Sequence, residues 1–116
     1  MTVLAARQLA TAQFQDTATA LKAQHPGLVL ILHRRGPREV VLELMSLPAA
    51  ARRRRIGSAV MTELCAEADR LGLMLSLHVS DGFGTPRAAL SDFYRAHGFT
   101  RVRLGSAAMR REPLPA

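Results

Sequence analysis

Apolar residues recur along this chain with two periods, and the switches between them divide it into segments. Leu4, Leu9, Phe14, Ala18 and Leu21 stand at roughly helical spacing, with Ala and Gln filling the gaps. One amphipathic helix is therefore expected over residues 4–24, ending before His25-Pro26-Gly27. "LVLILHR", from Leu28, is a short continuous run of leucine and branched side chains and reads as a strand. Gly36 and Pro37 in "RGPRE" supply a tight turn, and "VVLELMSLP" follows as the partner strand of an antiparallel hairpin. From Arg54 to Leu71 the period returns to 3.6 through Ile56, Val60, Leu64, Ala68 and Leu71, and Gly72 marks the C-terminal stop. "LMLSLHVS" is a further buried strand and "DGFGTP" a loop. "RAALSDFYRAHG" is another amphipathic helix, with Leu90, Phe93 and Tyr94 on its apolar side and Gly98 at its end. "FTRVRL" reads as a strand, and "SAAMRR" as a last short one.

This order predicts one α/β (α+β) domain over residues 1–116, with helices lying over a mixed sheet. Segments 39–47, 56–71 and 73–79 form a strand–helix–strand unit, which implies a parallel pair joined by a right-handed crossover. No repeat and no long linker interrupts the chain, and 116 residues suffice for a two-layer core. The apolar fraction of 48% is that of a globular protein. A single cysteine, Cys65, rules out an intramolecular disulfide and a multi-cysteine metal site. His25 and His33 have no ligand-type partners at metal spacing, so no metal is expected. No apolar run approaches the roughly 20 residues of a membrane span, and the N-terminus carries no signal-like apolar segment. A cytoplasmic protein without membrane contact is the expectation.

Charge sharpens the picture. The formal charge is +7, and it rests on arginine, because Lys22 is the one lysine. Arginine suits phosphate and carboxylate partners through bidentate contacts. Four arginines run together in "ARRRRIGSAV", residues 51–60, where a strand ends and a helix begins. At a helix start several N–H groups lack intrahelical partners and the dipole adds positive character, so such a turn attracts phosphate. Gly57 has no Cβ and lets a ligand approach the backbone. A P-loop GK[ST] and a dinucleotide GxGxxG are both missing. Local physics thus leaves a phosphate-binding turn and a nucleic-acid patch open. Base-stacking platforms are scarce, with one tyrosine and no tryptophan.

Two motifs resemble the GNAT superfamily of N-acetyltransferases. "RRRRIGSAVMTEL" after a strand is similar to its motif A, Gln/Arg-x-x-Gly-x-Gly/Ala. Arg52 takes the Gln/Arg position, Gly57 the final Gly/Ala position, and Arg55 replaces the first glycine. "LSDFYRAHGFTRV" is similar to motif B, an aromatic pair followed by x-x-x-Gly-Phe. Tyr94 takes the place of the tyrosine that faces the coenzyme A sulfur, and Arg87 stands where an asparagine is often found. "SDGFGTPRAAL" and "MRREP" further resemble the short acetyltransferases of bacteriophages and mobile elements. The resemblance covers roughly residues 28–113.

It implies acetyl-CoA as cofactor, with the pyrophosphate on the backbone of Arg52, Arg53, Arg54, Arg55, Ile56, Gly57 and Ser58. The pantetheine arm would pair with exposed backbone near Met45 and Leu47, where the two parallel strands splay, much as a peptide adds to a sheet edge. Acyl transfer to an amine requires loss of the amine proton, stabilisation of the carbonyl oxygen and reprotonation of the thiolate. Tyr94 suits the last step. Glu43, placed by period two on the side of Met45 and Leu47, is the candidate base, since a carboxylate among apolar neighbours has a raised pKa. His78 and Asp81 are its rivals. His97, before Gly98, reads as a helix C-cap, while Asp81, Arg87 and Asp92 ring the loop before motif B. The acceptor would be a primary amine of a protein lysine, an N-terminus or a small molecule, and the basic surface suits an acidic protein. A homodimer, a non-catalytic CoA-binding protein and a nucleic-acid-associated module stay open.

Overall fold

The computed structural model describes residues 3–48, 55–79 and 86–115. A long helix, α1 (Val3–Gln24), leads into the hairpin β1 (Val29–Arg34) and β2 (Glu39–Ser46). Helix α2 (Ile56–Leu71), strand β3 (Met74–His78), helix α3 (Arg87–Ala96) and the short strands β4 (Thr100–Arg101) and β5 (Ala108–Arg111) complete the order. The five strands form one mixed sheet in the order β1-β2-β3-β5-β4. β1 and β2 are antiparallel, β2 and β3 parallel, and β5 runs antiparallel between β3 and β4.

The helical spacing read from the sequence is what buries α1. Phe14, Ala18 and Leu21 lie on one stripe and are at most 1% exposed, facing Leu28 and Leu30 across the core. Val60, Met61, Leu64 and Ala68 do the same for α2. Gly72 ends that helix in the left-handed conformation (φ 69°), with its N–H turned back to the Ala68 and Asp69 carbonyls. Leu75, Leu77 and Met109 rise from the sheet into the same core, and Phe99 closes it beneath α3.

Two expectations change. The strand "FTRVRL" is only two residues long. Val102 donates its N–H to Ala108, Ser106 donates to Arg103, and Gly105 (φ 76°) closes the turn into β5. The alternating residues Val102 and Leu104 are consequently a solvent-exposed turn, and Leu104 is 99% exposed. The second change is a bulge in β2. Ile31 pairs with Leu44 but Leu32 pairs with Leu42, so Glu43 is an extra residue opposite no partner.

That bulge corrects the reading of Glu43. Period two assigned it to the side of Met45 and Leu47, but inserting one residue shifts the phase of everything after it. Leu47 stays buried and Met45 packs against the core, while Glu43 is half-exposed and pairs with His33 Nδ1 at 2.9 Å on the far side of the sheet. The apolar surroundings expected around this carboxylate are absent among the described residues.

Candidate functional site

The β2–β3 ladder runs from Glu39↔Met74 to Leu42↔Leu77 and stops there. β2 continues to Ser46 along β1, while Val79, just past β3, turns its N–H to Ala107 on the β5 side. The two parallel strands therefore part beyond Leu42, and the stretch Glu43–Ser46 has no β3 ladder among the described residues. This is the splay expected near Met45 and Leu47. Its position follows from the bulge, which bends β2 where pairing ends.

The chain reaches α2 through residues 49–54. Arg52, Arg53 and Arg54 lie outside the described residues. Arg55 is the N-cap and stands in the left-handed region, φ 60° and ψ 27°, the one described non-glycine residue with positive φ. A left-handed residue with a Cβ costs about 1–2 kcal/mol. This is also the position where the motif carries glycine. The backbone shape that glycine adopts freely is present, and an exposed arginine side chain is attached to it.

The hydrogen-bond ladder of α2 begins with the Ala59 N–H on the Arg55 carbonyl. The N–H groups of Ile56, Gly57 and Ser58 precede it, with no side-chain cap among the described residues and no acidic residue in the first turn. The amide groups and the dipole thus remain available to an anion. A Cβ on Gly57 would meet Leu47 Cδ1 at 3.4 Å, so the end of β2 and the start of α2 touch at this point. A methyl would fit there, and a bulky side chain would fill the space between the strand end and the turn.

α3 reaches the same turn from its C-terminal end. His97 Nε2 is 3.3 Å from Ser58 Oγ, and the His97 ring lies 5.0 Å from that of Phe93. Burial, and then the nearby Arg111 charge, push the His97 pKa down, so the ring is neutral at pH 7. Sequence reasoning took His97 as a helix cap. It is the C-cap residue, but its side chain also joins α3 to the first turn of α2. Nothing in the local pattern reveals that contact.

Two side chains hold the His97 carbonyl from behind. It accepts the Arg111 Nε–H at 2.8 Å and lies 3.8 Å from Cys65 Sγ. Arg111, buried on β5, grips Asp69 of α2 with two bonds of 2.6 and 2.9 Å. These bonds hold the Asp69 carboxyl below the ordinary aspartate range, with help from the Leu114 N–H. Gly98 is in contact as well, since a Cβ there would come within 3.1 Å of Arg111 Nε.

Tyr94 sits one turn before His97. Its ring meets Phe93 edge-on at 5.4 Å and Phe99 at 5.6 Å, and burial pushes its pKa above 10. The phenol therefore keeps its proton at neutral pH and can serve as a donor. Of the remaining candidates, His78 is exposed at the end of β3 and Arg87 is exposed at the start of α3. Asp92 is exposed with Arg95 4.0 Å away, and Asp81 lies outside the described residues. Among the described residues no helix is long and apolar enough to cross a membrane.

No protein-family model matches the chain, and no curated protein matches it in sequence. Its structure is similar to that of Ard1 from Thermoplasma volcanium, an N-acetyltransferase of the GNAT family. The TM-score is 0.56 at 16% identity, over 84% of this chain and 78% of the other. At that identity the likeness concerns the fold: the described residues adopt a GNAT-like mixed sheet flanked by helices.

Proposed function

We propose that this chain is an acetyl-CoA-dependent N-acetyltransferase acting on a primary amine, of a protein or of a small molecule. The observation that carries the reading is the parting of β2 from β3 at Leu42 and Leu77, directly ahead of the uncapped first turn of α2. An open strand edge followed by free amide groups suits a ligand with an extended amide-bearing arm and a phosphate end. The proposal extends to backbone pairing near Met45 and Leu47, and to phosphate contacts from Arg52 through Ser58.

Acetyl-CoA would supply the acetyl thioester. The amine attacks its carbonyl carbon, a C–N bond forms, and the C–S bond breaks with the electron pair leaving on sulfur. Tyr94 is our candidate to give that thiolate a proton, because burial keeps the phenol protonated. Glu43 is turned to the far side of the sheet, so we assign the amine proton to water. An acidic acceptor and a cytoplasmic location belong to the same proposal.

Arg55 favours a second reading, a protein that binds CoA without turnover. Its side chain occupies the glycine position of the motif, while its backbone keeps the glycine shape. Calorimetric titration with acetyl-CoA, beside Gly57→Trp, tests the binding step. Micromolar binding that Gly57→Trp abolishes, together with CoA release in the presence of amines, supports an enzyme. Binding without release leaves the second reading. A folded wild type that does not bind defeats both and brings forward the basic nucleic-acid-associated module that the +7 charge allows.

A further inference from the structure

His97 occupies an unassigned position of "FYRAHGF", so the resemblance gives it no task. The structure gives its ring a fixed place. Phe93, one turn earlier on α3, lies 5.0 Å away with its ring tilted by 58°. The His97 N–H closes the helix on the Tyr94 carbonyl at 3.0 Å, and Arg111 Nε holds the His97 carbonyl at 2.8 Å. The backbone is thus anchored on both sides of the ring, which turns to α2. There Ser58 Oγ is 3.3 Å from Nε2, the ring's hydrogen-bonding partner among the described residues. Ile56 and Gly57 have no polar side chain, so Ser58 carries the hydroxyl of that first turn.

One hydrogen lies between these two atoms, and its owner decides what the hydroxyl offers a ligand. With Nε2 bare, Ser58 gives its hydrogen to the ring and turns lone pairs outward. With Nε2 protonated, the ring donates to Oγ and the hydroxyl hydrogen is free to turn away. Burial and the Arg111 charge keep the ring neutral, so the two states differ only in which ring nitrogen holds the proton. The hydroxyl belongs to the same turn as the free amides of Ile56, Gly57 and Ser58, and Gly57 sets that turn against Leu47 at the end of β2. A diphosphate ester placed there accepts hydrogens and offers none, which selects the second state. Ser58 then donates to a phosphate oxygen while His97 donates to Ser58. Bonds to a charged acceptor are about twice as strong as neutral ones, and a chain of donors reinforces itself.

We propose that His97 is a positioning residue for the phosphate end of acetyl-CoA, donating its Nε2–H to Ser58 so that the Ser58 hydroxyl faces the ligand. The proposal rests on the acetyl-CoA reading above. A double-mutant cycle on acetyl-CoA affinity, measured by calorimetry, tests it. His97→Leu fills the space without a donor, Ser58→Ala removes the hydroxyl, and His97→Gln returns an N–H near the Nε2 position. His97→Leu and Ser58→Ala are each expected to weaken binding about tenfold, the double variant no more than either, and His97→Gln less than about threefold. Long-range 1H–15N spectra of the wild type give a reading that a purely structural tie does not move, and they need no variant to fold. In the acetyl-CoA complex the His97 Nε2 is expected to carry the hydrogen. A bare Nε2 in the complex means that Ser58 still donates to the ring, and overturns the proposal. Additive losses in the cycle, or unchanged affinity in a folded His97→Leu, overturn it as well. Those results leave acetyl-CoA binding in place and defeat this proposal alone. A folded wild type that binds no acetyl-CoA defeats the reading beneath it and the proposal together.

Discussion

Asp69→Ala tests the bonds that fix the candidate site from behind. Asp69 receives two charge-assisted bonds from Arg111, at 2.6 and 2.9 Å, and the Leu114 N–H at 2.8 Å. The Arg111 side chain is 7% exposed, so removing its partner strands a buried cation. Breaking a buried pair from one side costs about 3–5 kcal/mol. Asp69 itself is 22% exposed, and solvent can reach the vacated position, which points to the lower end, about 3 kcal/mol. With a urea m-value near ~1.5 kcal/mol/M, this lowers the unfolding midpoint by roughly 2 M. Adding Arg111→Met to Asp69→Ala removes the stranded charge while keeping an apolar stem. The double variant is expected to regain about 1–2 kcal/mol over Asp69→Ala alone. Equilibrium urea unfolding followed by circular dichroism measures all three proteins. A cost below about 1 kcal/mol for Asp69→Ala, the level of a surface pair, would refute the reasoning.

The same aspartate sets a pH dependence. Its folded pKa lies below its unfolded value, so its stabilisation is complete above the unfolded value and is lost as pH falls through the folded one. Asp69→Ala should therefore show a shallower loss of stability in acid than the wild type, read from urea midpoints across that range. Arg55→Gly relieves a left-handed conformation and is expected to be about 1 kcal/mol more stable than Arg55→Ala, which keeps the strain; thermal melts of the two variants decide. Tyr94→Phe keeps the ring contacts with Phe93 and Phe99 and should leave acetyl-CoA affinity intact, while kcat falls about 100-fold in a CoA-release assay. Glu43→Gln loses only an exposed pair with His33 and should change stability by about 0.5 kcal/mol or less and kcat by less than twofold in the same melts and assay.

The helices and strands β1, β2 and β3 were legible because their apolar periods are long and regular. Phe14, Ala18 and Leu21, or Val60, Leu64 and Ala68, can share a face only on a helix. The hairpin was legible from Gly36-Pro37, and the α2 terminus from Gly72. Glu43 was misplaced because a bulge changes the phase without altering composition: "VVLELMS" looks the same with or without it. The β4 strand was overextended because Val102 and Leu104 continue the alternation of Thr100 and Arg101, and only Gly105 hints at the turn. His97, Arg111 and Asp69 were not read as a group. Their bonds span 14 to 42 residues, and neither local pattern nor composition records which distant polar groups meet. The turn before α2 was legible from "RRRRIGS" as a helix start, but the left-handed backbone at Arg55 was not, since arginine gives no signal for it.

The strand order has a consequence for how the chain is made. β5 is the last strand in sequence, yet it lies between β3 and β4 and holds both. During synthesis from the N-terminus, α1, the β1–β2 hairpin, α2 and β3 can assemble as they emerge, but β4 has no neighbour until residues 108–111 have been translated. Arg111, the residue that secures His97, belongs to that final strand. The ribosome must therefore release the end of this segment before the site is built, and a nascent chain stopped before Ala108 holds an open edge on β3 for a chaperone to shield.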